Sequence, residues 1–294
     1  MKDELDYTPI SHTNDYVFKK IFSDKEILSD LLSGFLRENI SVVEILNPEI
    51  PPESLTDKLG RMDILATDKN KELFNVDVQI QYHEGFDDRM LYYGAKVYSS
   101  SVRKGKGYYE IKRTVMINIL AFSHRKLINI PRYHTTFKLR NEDSSVTLTE
   151  KFVIHYIEVP KIMDLLKNTT PDKLSKEDKW VLYLNDCGGE VMEQIVTEEP
   201  MIARALTIGE LFSKDKAEQQ RARQREEAVA AWSIAMGANY HSGLEKGIEK
   251  GMEKGMENLV RNMLLNRVAP DFIAKNTGLS LDKIMSIEEV MKNE

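Results

Sequence analysis

The chain has 294 residues, of which 41% are hydrophobic and 30% are charged, and its formal net charge at pH 7 is -6. This composition excludes a disordered chain and predicts a folded protein with one large and one smaller unit. The negative charge argues against a surface coated for unspecific nucleic-acid binding, although it is compatible with a local basic patch.

The sequence shows no segment that would anchor it in a membrane or direct its export. Apolar runs such as VMINILAF are too short to span a bilayer, and MKDELDYTPI lacks the hydrophobic stretch of a secretion signal. The single cysteine, Cys187, excludes an internal disulfide and a cysteine-based zinc cluster. We therefore expect a cytoplasmic protein without a membrane partner.

Two short helices and a strand are predicted near the N-terminus. Apolar residues recur at helical spacing in HTNDYVFKKIFSDKEILSDLLSGFLRENI. Thr13 or Asn14 is placed to cap the first helix, and Ser23 or Asp24 the second. The following SVVEILNPEIPP is predicted to form a strand that prolines terminate.

Residues 61–81, RMDILATDKNKELFNVDVQIQ, are predicted to form two strands joined by a short polar turn. Alternate residues of a strand share a face, so Asp77, Gln79 and Gln81 point one way and the intervening apolar residues point the other. A solvent-facing hairpin and a metal site built on a sheet both explain this alternation.

The length of the turn decides whether Asp63 can face Asp77. Directly opposed residues of an antiparallel hairpin have Cβ atoms about 4.5–5.5 Å apart, close enough for two carboxylates to share one cation. Opposition of these two residues requires an odd connection, either Lys69–Lys71 or Asp68–Glu72. We therefore predict a three- or five-residue turn, or a bulge that restores the same facing.

The next segment, DDRMLYYGAKVYSSSVRKGKG, is predicted to form a helix capped by Asp87 or Asp88 and ended by glycines. One of its faces is cationic and aromatic and leads into RKGKGYY, where lysines and glycines alternate. Such a face beside carboxylates suits a polyanion bound through a divalent cation such as Mg²⁺, although the tyrosines can also serve as packing residues. The side chains of this face are Arg89, Tyr92, Tyr93, Lys96, Ser100 and Arg103.

Further strands are predicted at TVMINILAF and KFVIHYIEVP, so strands and helices alternate as far as about residue 165. This alternation predicts an α/β (α+β) core. Helical patterns dominate beyond it, and KDKAEQQRARQREEAVAAW is interpreted most simply as a solvated connector helix. We expect a core in residues 1–165, a helical extension and connector in 166–235, and a small helical tail in 236–294.

The sequence GLEKGIEKGMEKGMEN repeats every four residues, and each of its glycines precedes an apolar residue. As a helix it would place a small-residue strip beside an apolar strip, while each glycine would cost roughly 0.5–1 kcal/mol relative to alanine. Two interpretations fit equally well. Residues 243–256 form either a self-association helix, which would make a homo-oligomer, or a semi-flexible hinge.

The last block, APDFIAKNTGLSLDKIMSIEEV, has Ala274, Gly278 and Ile284 at the offsets of a helix-turn-helix. From Glu257 to Glu294 there are six acidic and five basic residues, too few cations for a DNA-reading helix. We therefore favour a helical pair that packs on itself or on a partner. Other signatures are absent: there is no phosphate-binding loop, and the six histidines lack metal-ligand spacing.

The order of these elements resembles the PD-(D/E)XK nuclease superfamily, in particular its branch of recombination-promoting nucleases and transposases. The resemblance covers nearly the whole chain and implies a restriction-endonuclease-like mixed β-sheet flanked by helices, with a helical C-terminal region. It is carried by NDYVFKKIF, RMDILATD, FNVDVQIQ, RMLYYGAKVYS with KGKGYYEIKR, INILAF and the glycine repeat.

On this resemblance, Asp63 and Asp77 match the two acidic metal ligands, and the backbone carbonyl of Val78 matches a further one. Gln79 matches the position where much of the superfamily has lysine. Asp77 stands where the branch commonly has glutamate and is one methylene shorter. Asp15 matches the opening motif.

The resemblance implies a Mg²⁺-dependent DNA endonuclease associated with recombination or transposition. Asp63 and Asp77 would hold Mg²⁺, which lowers the pKa of a bound water, and Gln79 would position that water. The alternative, motivated by the short Asp77 and the glycine repeat, is a catalytically silent oligomeric or DNA-associating protein that retains the nuclease fold. Candidates for holding the DNA backbone are Arg61, Arg89, Lys104 and Lys106.

Overall fold

The computed structural model describes residues 10–46, 64–102, 105 and 107–293. The chain divides into two compact units, residues 1–233 and 234–294. Among the described helices, none combines the length and apolar character that crossing a membrane requires. Our division of the chain into three parts stays a prediction.

The two N-terminal helices are confirmed, and each has an N-cap that we named. Helix α1 (Asp15–Ile21) begins after Asn14, whose side chain accepts hydrogen bonds from the first backbone N–H groups of the helix. Helix α2 (Lys25–Leu36) begins after Asp24, which caps it in the same way. These side chains pair N–H groups that have no partner within the helix.

The described strands form one six-stranded mixed sheet in the order β1-β2-β3-β4-β6-β5. Strands β3, β4 and β6 are parallel, and the other pairings are antiparallel. The α/β fold implied by the sequence is confirmed. The strands are β1 (Val42–Leu46), β2 (Ile64–Asp68), β3 (Leu73–Gln79), β4 (Thr114–Leu120), β5 (His134–Lys138) and β6 (Phe152–Glu158).

The helices of the first unit cover both faces of this sheet. On one face, α1 and α2 join α5 in a large apolar core whose largest buried side chain is Trp180. The other face is covered by α3. The remaining helices are α3 (Phe86–Ser100), α4 (Ile162–Leu166), α5 (Lys176–Leu184), α6 (Gly189–Glu198), α7 (Pro200–Lys214), α8 (Lys216–Leu265), α9 (Pro270–Thr277) and α10 (Leu281–Asn293).

The turn between β2 and β3 has the odd length that we predicted. The last paired residues are Thr67 and Leu73, so residues 68–72 form the connection. Asp68 stabilises the turn because its carboxylate accepts hydrogen bonds from the backbone N–H groups of Asn70 and Glu72. Each of these hydrogen bonds has a donor–acceptor distance of 2.9 Å. The local chemistry of the turn thus sets the register of the hairpin.

The first part of α8 packs on α1, so our interpretation of this segment as a simple solvated connector is wrong there. Ala222 is fully buried. The Asn14 amide donates to Glu226 Oε1 over 2.9 Å, and Arg225 forms an ion pair with Asp15. Residues of the opening NDYVF motif therefore contact helix α8 and hold it against α1. The sequence pattern did not indicate this role.

The second unit contains the end of α8 with α9 and α10. Val260, Ile273 and Ile284 form its small apolar core with Ile287. Gly278 ends α9 with φ +72°, a left-handed conformation that favours glycine. The helical pair predicted for this block is present, and its apolar residues pack on one another.

Candidate active site

Asp77 lies on β3 in the interior of the sheet, between β2 and β4. Asp77 is buried, with only 5% of the residue exposed to solvent. A solvent-facing hairpin would leave this carboxylate in water, so that interpretation is wrong. A buried carboxylate is costly unless polar groups or a cation compensate it, which makes Asp77 the starting point of the site.

Gln79 contacts Asp77 directly, since its amide Nε2 donates to Asp77 Oδ2 over 2.8 Å. The two residues share a face because they are two positions apart on one strand. This hydrogen bond orients the carboxylate. Gln81 was expected on the same face, but β3 ends at Gln79, so Gln81 lies beyond the strand.

The backbone carbonyl of Val78 points away from β4. The N–H of Ala121 donates to the carbonyl of Gln79 over 2.9 Å, which directs that carbonyl toward the β4 side. Because successive carbonyls of a strand point to opposite edges, the Val78 carbonyl is directed toward the β2 side. Asp63 immediately precedes β2 in the sequence and lies outside the described residues.

Helix α3 packs over β4 and β6 and turns one flank toward β3. A Cβ on Gly94 would lie 2.9 Å from the Phe152 ring and 3.2 Å from Met116, so the helix approaches the sheet closely there. Tyr98 packs edge-on against Phe152 on the β6 side, as expected for a packing residue. The opposite flank carries Arg89, Tyr93 and Lys96, at helical spacing.

The cationic groups of this flank are held by aromatic and imidazole partners. The Arg89 guanidinium lies 5.9 Å from the Tyr93 ring centroid, and its Nη1 lies 3.1 Å from His83 Nε2. Burial lowers the pKa of His83, so this imidazole is neutral at pH 7 and its Nε2 accepts from the guanidinium. Lys96 Nζ lies 4.7 Å from the Tyr92 ring centroid.

Our prediction for the start of α3 is wrong. Its N-cap is Gly85, with φ +77°, and Asp87 and Asp88 lie in the first turn instead. Burial raises the pKa of Asp87, but hydrogen bonds from Lys126 and Tyr156 outweigh this and lower it. The helix ends at Ser100, before the first glycine of RKGKG.

Four of the predicted site residues lie outside the described residues. Within the described ranges, no group of three histidine, cysteine, aspartate or glutamate side chains is arranged to hold a metal. The structure therefore brings together Asp77 and Gln79, with Val78 between them on β3. The flank of α3 that carries Arg89, Tyr93 and Lys96 lies on the side of the helix away from β6, which is the side of β3. The residues outside the description are Arg61, Asp63, Lys104 and Lys106.

Sequence reasoning missed Asn118, which pairs in register with Asp77 on the neighbouring strand. Asn118 is fully buried, and its Oδ1 has no hydrogen-bond partner among the described residues. A single asparagine within the apolar strand TVMINIL was the available signal. Its significance depends on the parallel pairing of β3 with β4, which the sequence does not display.

A second polar cluster, also missed, lies on the opposite face of the sheet. His134 Nδ1 lies 2.5 Å from Glu177 Oε1, and His134 Nε2 lies 2.8 Å from His155 Nδ1. These histidines are separated by 21 residues and meet only because β5 and β6 are paired. The cluster shows that scattered histidines were not all isolated side chains.

A family model described as PD-(D/E)XK nuclease family transposase matches residues 12–237 of the chain. This range includes the whole sheet, α3 and the helices that cover the other face. No curated protein and no solved structure gives a significant match.

Proposed function

The chain belongs to the PD-(D/E)XK nuclease family of transposases, and from this membership we propose that it is a Mg²⁺-dependent DNA endonuclease that acts in recombination or transposition. The family implies a nuclease whose substrate is DNA, and such nucleases generally use divalent metal ions. The observation that carries the proposal is the buried Asp77 carboxylate, fixed by Gln79 on an interior strand.

The donor atoms available here suit a hard divalent cation. Mg²⁺ prefers oxygen ligands and keeps several waters, so one or two carboxylates and a backbone carbonyl are sufficient. Asp77 and the Val78 carbonyl are the described donors. We propose Asp63 as the second carboxylate, because the odd β2–β3 connection puts odd-numbered positions of β2 opposite odd-numbered positions of β3.

Each residue has a distinct role in this proposal. When bound, Mg²⁺ would supply Lewis-acid stabilisation of the phosphate and a more acidic water. Asp77 provides negative charge for the cation, and Gln79 holds that carboxylate in place through its amide N–H groups. Gln79 carries no charge, so it serves to orient groups and does not act as a lysine-type acid.

The DNA backbone would be held by cations beside this centre. Arg89 lies on the flank of α3 that is turned toward β3, and its contacts with Tyr93 and His83 fix the guanidinium. Arginine contacts to phosphate position the duplex without reading its sequence. We propose the same role for Arg61, Lys104 and Lys106.

Plasmid cleavage by the full-length chain tests the proposal. We expect Mg²⁺-dependent nicking of supercoiled DNA that EDTA stops, and that Asp63→Ala and Asp77→Asn both abolish. Asp88→Asn is the matched control, since Asp88 is exposed on the first turn of α3, and it should cleave normally. Cleavage that survives both site substitutions would contradict the proposal.

The catalytically silent alternative makes a different prediction for Asp77→Glu. Glutamate restores the longer side chain that is common at this position in the branch of nucleases that the chain resembles. If the parent protein is inactive and Asp77→Glu cleaves DNA, the chain is a silent relative that retains the fold. Robust Mg²⁺-dependent cleavage by the parent excludes this alternative.

A further inference from the structure

Asn118 has a buried polar side chain whose amide oxygen lacks a hydrogen-bond partner among the described residues. Every residue of β4 is buried, and Asn118 itself is fully inaccessible to solvent. Its Oδ1 has no hydrogen-bond partner within the described part of the chain. An unpaired buried polar atom costs about 1–3 kcal/mol, so a leucine at this position would be cheaper for folding alone.

The orientation of the carboxamide places this oxygen on the side of Asp77. Asn118 Nδ2 donates to the backbone carbonyl of His155 on β6, over a long 3.4 Å. The oxygen is therefore on the side of the group that faces away from β6. Strand β3 is the neighbour on that side, and Asp77 is the residue paired with Asn118.

Two groups that only accept hydrogen bonds thus lie next to each other in a dry part of the protein. Asp77 and Asn118 share one face, because paired residues of adjacent parallel strands point the same way. A carboxylate and an amide oxygen repel each other unless a donor or cation lies between them. A water bound to a divalent cation is a strong donor of this kind, because the cation makes its protons more acidic.

We propose that Asn118 Oδ1 accepts a hydrogen bond from a water of the hydrated divalent cation that Asp77 binds. This inference rests on the proposed function and adds a positioning residue to the site. Mg²⁺ retains several of its waters in proteins, and neighbouring acceptors orient them. Asn118 is on the opposite side of Asp77 from β2, so it fixes the cation from the β4 side.

Mn²⁺ binding to the full-length protein tests this role without measuring cleavage. Electron paramagnetic resonance titration should show one tight Mn²⁺ site in the parent that Asp77→Asn removes. Asn118→Leu, which has a similar shape but no oxygen, should weaken Mn²⁺ binding by about 10- to 100-fold. Asn118→Asp, which keeps an oxygen at the same place, should bind Mn²⁺ at least as tightly as the parent.

The matched control is Thr135→Val. Thr135 on β5 is buried, and its Oγ1 also has no hydrogen-bond partner among the described residues. It pairs with Tyr156 of β6 on the face of the sheet that carries Asn118, but β4 and β6 separate β5 from β3 and Asp77. Its substitution should leave Mn²⁺ affinity unchanged.

Thermal unfolding without metal separates this role from a structural one. If Asn118 serves a bound water, Asn118→Leu should be at least as stable as the parent without metal and should gain less from added Mn²⁺. A large loss of stability without metal would show a structural role and overturn the inference. If Asn118→Leu does not fold, normal Mn²⁺ affinity in Asn118→Ala would overturn it equally.

The outcomes distinguish the two proposals. If the parent binds Mn²⁺ through Asp77 and Asn118→Leu binds equally well, this inference fails and the proposed nuclease function stands. If the parent shows no Mn²⁺ site that depends on Asp77, the proposed function fails and the inference falls with it.

Discussion

Gln79 orients the carboxylate of Asp77 through a direct hydrogen bond. Gln79→Met removes the amide that donates to Asp77 Oδ2 and keeps a similar length. Groups that orient metal ligands typically contribute 10- to 100-fold, so we expect about that loss in Mn²⁺ affinity and cleavage rate. Gln81→Met is the control, because Gln81 is exposed beyond the end of β3. Equal losses in both variants would contradict a specific role for Gln79.

His155 gives the protein a predictable response to acid. Burial, assisted by the nearby His134, lowers the pKa of His155 to about 3. Its pKa in the unfolded chain is about 6.5, so the unfolded state binds more protons between these values. The stability it supports is therefore present above about pH 6.5 and is lost as the pH falls toward 3, by at most about 1.4 kcal/mol per pH unit.

The variant His155→Gln should accordingly flatten the dependence of the melting temperature on pH between 6.5 and 4.5. Thr136→Val provides the control, because the Thr136 hydroxyl lies 3.3 Å from His155 Nδ1 and does not titrate. It should lower the melting temperature at every pH and leave the slope unchanged. A slope in His155→Gln equal to that of the parent would refute the assignment.

At the scale of elements, the contact of α3 with the sheet sets the position of the Arg89 flank. Gly94 makes this contact possible, since a Cβ there would come within 2.9 Å of Phe152. Gly94→Val should force the helix outward and cost about 1–3 kcal/mol of stability, as overpacking does. Ala95→Val is exposed on the same helix and should cost little. Urea unfolding compares the two variants, and equal costs would show that the close contact is not limiting.

Local chemistry made several elements predictable, and tertiary pairing determined the rest. Asn14 and Asp24 were each one of two predicted caps, since side-chain capping acts within three residues and is visible in the sequence. Strand β5 was missed because HTTFK is short and is defined by its pairing with β6. The predicted cap of α3 is wrong because Gly85 begins the helix through its left-handed backbone conformation, without a capping side chain. Asn118 is recognisable only once β4 lies beside β3.

For the whole molecule, the packing of α8 on α1 brings together residues more than two hundred positions apart in sequence. Glu226 and Arg225 contact Asn14 and Asp15, which begin α1. Arg225→Ala would leave the Asp15 carboxylate, which is 8% exposed, without its cation. Breaking a buried pair in this way costs about 3–5 kcal/mol when burial is complete, and somewhat less is expected here. Calorimetric melting measures the loss, and Arg223→Ala, at an exposed position of the same helix, is the control.

The glycine repeat offers a test that separates self-association from a hinge. Gly247, Gly251 and Gly255 lie in α8, and a Cβ on any of them would meet no atom of the described residues within 4 Å. Beside them, Ile248 and Met252 are 54% and 71% exposed. Replacing the three glycines by alanine would therefore fit the isolated chain and stabilise the helix by roughly 0.5–1 kcal/mol each.

In an assembly whose helices meet through these glycines, the same methyl groups would hold the partners apart. We therefore expect the triple alanine variant to melt higher by circular dichroism and yet sediment as a smaller species, as should a truncation after Trp232. Lys246→Ala, Lys250→Ala and Lys254→Ala together also place three alanines in the repeat, but on another face and with only a small change in helix propensity, and should leave the assembly intact. If the triple alanine variant and the truncation both sediment like the parent, the repeat does not mediate self-association, and the hinge interpretation remains.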